Sequence, residues 1–181
     1  MRLFAGIAAA AVVIAACGGT AAAPSPSPSS TRTASPTPSP SPSPTPAPTP
    51  ANTFKAELKA SNENPPITDA EATCSGTATV TFTGTSAKFD VSITGCPATT
   101  VINIGHIHEG AAGVNGPVKI DSTLKAGDIA LTGGAVTFSR TNSNADPAVI
   151  TAVIANPAGW YVNFHSTLHA GGVIRGQLTK A

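Results

Sequence analysis

From Pro24 to Pro50 proline alternates with serine, threonine or alanine, as in SPSPSPTPAPTP. Proline fixes φ and has no N–H to donate, so a run of this kind can form neither a helix nor a sheet ladder. The segment is expected to be an extended, solvated polyproline-type linker without fixed tertiary structure. At about 3.1 Å per residue, a fully stiff version would reach on the order of 80 Å. Its serines and threonines suit O-linked sugars. The run therefore divides the chain into a leader (residues 1–16), a linker beginning at a cysteine (17–51) and one foldable segment (52–181).

The leader reads MRLFAGIAAAAVVIAAC: one arginine, an apolar run of alanine, valine and isoleucine, then small residues ending at Cys17. A stretch this short, with a basic start and a small-residue exit, is an export signal rather than a membrane span. Ile14 to Cys17 resembles a bacterial lipobox. That resemblance implies cleavage before Cys17 and acylation of its sulfur and amino group. The expected product is an exported protein, lipid-anchored to the cell membrane and facing the extracytoplasmic side. Each buried acyl methylene adds roughly 0.8 kcal/mol to the anchoring.

The segment from Asn52 to Ala181 is long enough for one domain with a real core. Of the ten basic residues only Arg2 and Arg32 lie outside it, and all nine acids lie inside. This near-balance leaves no basic patch for nucleic acid. Strand signals dominate. Phe54, Ala56 and Leu58 alternate with Lys55, Glu57 and Lys59, and TATVTFT (77–83) and KFDVSIT (88–94) flank a Gly84-Thr85-Ser86 turn. Further strands are expected over 99–108, from Pro117, over 128–133 and 135–139 as two short arms, over 160–166 and over 173–179. One helix is signalled by Asp146 as N-cap, Pro147 at the first helical position and Pro157 beyond the end. Together these predict an all-β fold, an antiparallel Greek-key-like sandwich or barrel with one short helix.

Cys74 and Cys96 are the two cysteines of the domain. In an oxidising compartment they are most simply one disulfide, closing a loop worth roughly 3 kcal/mol. Placing Val80 and Phe82 on the face of Phe89, Val91 and Ile93 requires opposing residue numbers to add to an odd total, whereas the two cysteines add to an even one. A bulge or break near Gly76 or Gly95 is therefore expected. A metal-thiolate role would need the cysteines beside the histidines.

All four histidines fall in two short stretches, GHIHEG (105–110) and NFHSTLHAGG (163–172). Residues two apart on a strand share a face, so His106 and His108 project together. Tyr161, Asn163 and His165 lie opposite the apolar Trp160, Val162 and Phe164. If the two strands are neighbours, three imidazoles converge, and His169 joins only if the turn toward Gly171 brings it around. Two readings stand at this point. One is a zinc or copper site built from His106, His108, His165 and His169, since imidazole suits both metals. The other is a knot of neutral imidazoles bonded to loop carbonyls, with Asn163 and Glu109 as further partners, pinning the loop 110–116.

Three stretches, FKAELKASNENPP, GHIHEGAAGVNGPV and GWYVNFHSTLHAGGVIRGQL, resemble in order and spacing the CHRD domain, a module named after the signalling antagonist chordin and found in many exported bacterial proteins. The resemblance runs from about Phe54 to Leu178. It implies an all-β extracellular module without established catalysis. Its motif positions here are His106 and His108, then Tyr161, Asn163 and His165, then Gly171, Gly172, Arg175 and Gly176. Val173 stands where the family often has a glutamate, which removes one carboxylate partner for Arg175 or for an imidazole, and His169 is not usually part of the motif. GHIHEG is also similar to the copper-ligand strand of copper-zinc superoxide dismutases, over six residues only and without the second metal's ligands.

No catalytic residue is assigned. There is no GxSxG, no thiol beside a histidine and no acid pair at a cleft. Asp121 and Asp128 read as surface or turn residues, and GAAGVNG lacks the lysine and helix of a phosphate loop. The expectation is a non-catalytic binding or structural module displayed on a membrane lipoprotein, its partner an extracellular protein, glycan or envelope ligand. The alternative is a metal-binding domain, with a dismutase-like metalloenzyme a further reading.

Overall fold

The computed structural model describes residues 52–181. The expected signal peptide, Cys17 and the expected linker, residues 1–51, lie outside the described residues. Nine antiparallel strands form one sheet. They are β1 (Asn52–Lys59), β2 (Ser75–Thr83), β3 (Ser86–Thr94), β4 (Ile102–Glu109), β5 (Val118–Asp121), β6 (Val136–Asn142), β7 (Trp160–Ser166), β8 (Ile174–Gln177) and the two-residue β9 (Thr179–Lys180). Their spatial order is β5-β4-β7-β8-β1-β2-β3-β6, with β9 also on β1. The sheet curls until its two edges nearly meet. Asn142 Nδ2 donates to Asp121 O at 3.0 Å and Thr123 Oγ1 to Thr141 O at 3.4 Å, so side chains rather than a ladder bridge β6 and β5. The result is a nearly closed barrel with one short helix, which is the expected class. Among the described residues no helix is long and apolar enough to cross a membrane.

The interior follows from period-two alternation. Phe54 and Leu58 of β1, Val80 and Phe82 of β2, and Phe89, Val91 and Ile93 of β3 are all buried, while their neighbours face outward. Across the barrel, Phe138 meets Phe164 edge to face at 5.8 Å. The helix α1 (Pro147–Ala155) begins as the sequence signals: Asp146 accepts from Ala148 N at 2.8 Å, and Pro147 occupies the first turn.

Cys74 and Cys96 are bonded. The β2–β3 register is regular from Ser75↔Thr94 to Thr83↔Ser86, with the odd parity that the apolar residues demand. The compensating break falls at Gly95, which has φ +72°, where a Cβ would lie 2.7 Å from Thr73 O. Only glycine fits there without strain, and it lets two cysteines of the wrong parity meet.

One expectation fails. Residues 128–133 do not form a strand; that stretch keeps only the bridge Thr132↔Ala135, and β6 pairs instead with β3 over Ala87↔Asn142 to Ile93↔Val136. Gly127, Gly133 and Gly134 all have positive φ, which turns the chain away from the ladder on both sides of the segment.

Candidate metal centre

The site sits on the polar face of four adjacent strands. In the β4–β7 ladder His106 opposes Asn163 and His108 opposes Tyr161; in β7–β8 Asn163 opposes Arg175 and Tyr161 opposes Gln177; in β4–β5 His106 opposes Asp121. Opposed residues share a face. One row therefore reads Asp121, His106, Asn163, Arg175, and the next His108, Tyr161, Gln177, with His165 one pleat further along β7. The apolar face of the same strands carries Ile107, Val162 and Phe164. Gly105 makes room there, because any Cβ would overlap the Phe164 ring.

Two loops cover the polar face, which is why β7 is buried on both sides. His108 Nδ1 lies 2.9 Å from Gly116 O, and Gly116 N donates to Tyr161 Oη at 3.1 Å. His165 Nδ1 lies 2.8 Å from Ala170 O. A carbonyl only accepts, so each of these Nδ1 atoms carries the proton and each Nε2 carries a lone pair. His106 Nδ1 is 3.2 Å from His165 Nε2. One nitrogen from each of the three rings lies within 4.8 Å of the others. His108 Nε2 is buried and has no hydrogen-bond partner.

All three imidazoles are held below the ordinary histidine value of 6.5, first by burial; repulsion from neighbouring imidazoles adds to it at His106 and His108, and Arg175 adds to it at His108. His106 Nε2 is 3.8 Å from Asp121 Oδ2, an ion pair only if the ring is charged, and its lowered pKa keeps it neutral. Behind His108 lies a stack. Tyr161 lies against its ring at 4.9 Å and 11°, and the guanidinium of Arg175 lies 4.1 Å above the centre of Tyr161. Arg175, 2 % exposed, donates to Asn115 Oδ1 at 2.9 Å and Val114 O at 3.2 Å, tying the same loop down.

The profile of the CHRD domain family matches residues 54–178. The chain belongs to the CHRD domain family. No curated protein matches it. Within this CHRD domain the motif positions serve the site just described: His106, His108 and His165 as the ring cluster, Tyr161 and Arg175 as its stacked backing. Asn163 reaches toward Gly171 O at 3.5 Å, and Gly172, at φ +132°, leaves the space its amide occupies. Gly176 allows β8 to press against Glu57 O of β1.

His169 does not join the cluster. Its Nε2 lies 2.9 Å from Asp69 Oδ2 and 3.7 Å from Glu71 Oε2, because the turn after β7 directs it toward the segment before β2. Nor do Asn163 and Glu109 bond the imidazoles; Glu109 pairs with Lys119 at 3.3 Å. His169→Ala is expected to leave metal stoichiometry unchanged and to cost no more than about 1 kcal/mol, since a partly exposed pair contributes little. Metal analysis and urea denaturation of that variant check both points.

Two residues of the site escape sequence reading. Asp121 is 60 % exposed in its side chain, as a surface residue should be, yet it faces His106. Glu63, 7 % exposed, supplies a carboxyl near Arg175 despite valine at position 173; burial pushes it up to about 7, and Arg175 pulls it back. The β4–β5 hairpin register would have revealed Asp121. Nothing local marks Glu63, which arrives from the loop after β1.

Proposed function

We propose that the protein is an exported lipoprotein, held on the extracytoplasmic face of the membrane through Cys17, whose CHRD domain is a non-catalytic module binding one zinc or copper ion through His106, His108 and His165. The observation that carries the metal reading is His108 Nε2. A buried acceptor without a partner costs roughly 1–3 kcal/mol, and a coordinated ion would offset it. Hydrogen bonds from Nδ1 to loop carbonyls also suit a ligand shell, since a metal-binding imidazole is ordinarily oriented through its other nitrogen. With the His165 proton on Nδ1, His106 Nδ1–H donates to His165 Nε2. Moving that proton to Nε2, which faces Asp121, would turn the third lone pair inward. The anchoring reading rests on the lipobox-like run and the proline-rich linker.

The test is metal content of the purified, untagged protein after dialysis against trace zinc and copper, beside His106→Ala/His108→Ala. The expected result is about one equivalent in the wild type and none in the variant. If neither holds metal and the variant unfolds at lower denaturant, the imidazoles are a structural knot, and the module's partner is an extracellular protein, glycan or envelope component. For the anchor, Cys17→Ala is expected to move the protein from the detergent phase to the aqueous phase; an unchanged partition would rule out lipidation.

A further inference from the structure

The charges around the three rings bear on which ion they would take, an inference that rests on the metal reading above. The donors are three neutral imidazole nitrogens; the grouped ligand atoms include no carboxylate and no thiolate, and both domain cysteines are committed to each other. The nearest fixed charge behind His108 is the Arg175 guanidinium, one ring away through Tyr161. It is buried and positive. The acid facing the donors is Asp121, on the outer nitrogen of His106 and 60 % exposed, so water screens it. Glu63 lies on the Arg175 side, and Lys119 and Glu109 pair with each other.

An ion entering this seat is thus desolvated next to a cation with one screened anion to answer it. The cost of taking an ion out of water grows with the square of its charge, so a divalent ion meets about four times the penalty of a monovalent one. Coordination number points the same way. Zinc held by three histidines completes its shell with a water, whereas β4 and β7 present three imidazoles that the covering loops largely close off: the side chain of His106 and the residues His108 and His165 are 12 %, 7 % and 5 % exposed. A filled-shell monovalent copper ion is satisfied by three soft or borderline donors. We infer that the three-histidine seat selects Cu(I) over Zn(II).

The experiment uses the full chain in detergent, without a tag, anaerobically and with ascorbate as reductant, which keeps copper monovalent and leaves the Cys74–Cys96 disulfide closed. Equimolar Cu(I) and Zn(II) are offered together, and each affinity is then measured by competition, with bicinchoninate for Cu(I) and a chromogenic chelator for Zn(II). The expected result is retention of one copper and release of zinc. Asp121→Asn preserves side-chain shape and the acceptor for Thr123 N and removes the one facing anion, but it sets an amide N–H2 against His106 Nε2, so some loss common to both ions is expected. It should weaken Zn(II) roughly three- to tenfold more than Cu(I), because the lost attraction scales with ionic charge. Retention of zinc in preference to copper, or an equal loss of both in Asp121→Asn, would overturn the selectivity while leaving a metal site. Binding of neither ion by the wild type would overturn the metal reading itself.

Discussion

Gly116→Ala is expected to lower the unfolding free energy by about 3 kcal/mol and metal affinity by roughly 10- to 100-fold. A Cβ at Gly116 would overlap the carbonyl oxygen of Glu109, which belongs to the strand and cannot retreat. The loop must then lift. Lifting it removes the acceptor of His108 Nδ1 and the donor to Tyr161 Oη together, since both belong to Gly116. His108 loses its fixed orientation and Tyr161 its anchor. Gly113→Ala is the control: its φ is +76°, but a Cβ there meets nothing within 4 Å. It should cost about 1 kcal/mol and leave metal binding unchanged. Denaturation followed by the fluorescence of Trp160, the single tryptophan of the chain, measures both variants.

Arg175→Met is expected to cost about 3–5 kcal/mol, because it leaves Asn115 Oδ1 and Val114 O under a buried apolar chain and strips Glu63 of its counter-charge. The pH dependence is more telling than the size. The Glu63 carboxyl has a folded value of about 7 against an ordinary 4.5, so its contribution to stability is fully present below 4.5 and is lost as pH rises through 7. Without Arg175 that carboxyl moves higher still, and ionising it at high pH costs more. The imidazoles behave oppositely: with folded values below 6.5, their contribution is present above 6.5 and is lost as pH falls. Removing Arg175 relieves His108 at the acid end, which works in the same sense as the change at Glu63. The stability gap between wild type and Arg175→Met should therefore widen from about pH 5 to about pH 8. A gap independent of pH would show that Glu63 does not feel the guanidinium.

The barrel was legible because alternation is local. Phe54, Ala56 and Leu58 declare their strand within five residues, and the parity mismatch of Cys74 and Cys96 located a break that Gly95 supplies. The same reading placed His106 and His108 on one face and His165 on the polar face of its strand. It also made convergence conditional on β4 and β7 being neighbours, a long-range fact that alternation does not contain. For the same reason residues 128–133 misled: Ile129 and Leu131 alternate like a strand, but β6 already has β3 as its partner and the flanking glycines turn away. His169 was only four residues from His165, yet its direction is set by Asp69, about a hundred residues earlier. Glu63 and Arg175 are likewise far apart in the chain. Such pairings depend on how loops close over a face, and no short stretch encodes them.

One metal ion among His106, His108 and His165 is what the proposed function requires. Crystals grown from the purified protein with zinc or copper, measured at the absorption edge of that metal, test it most directly. The expected result is one anomalous peak at about 2.0–2.1 Å from a nitrogen of each of the three rings. A peak beside His169 and Asp69, or none at all with the His106–His165 hydrogen bond intact, would contradict it.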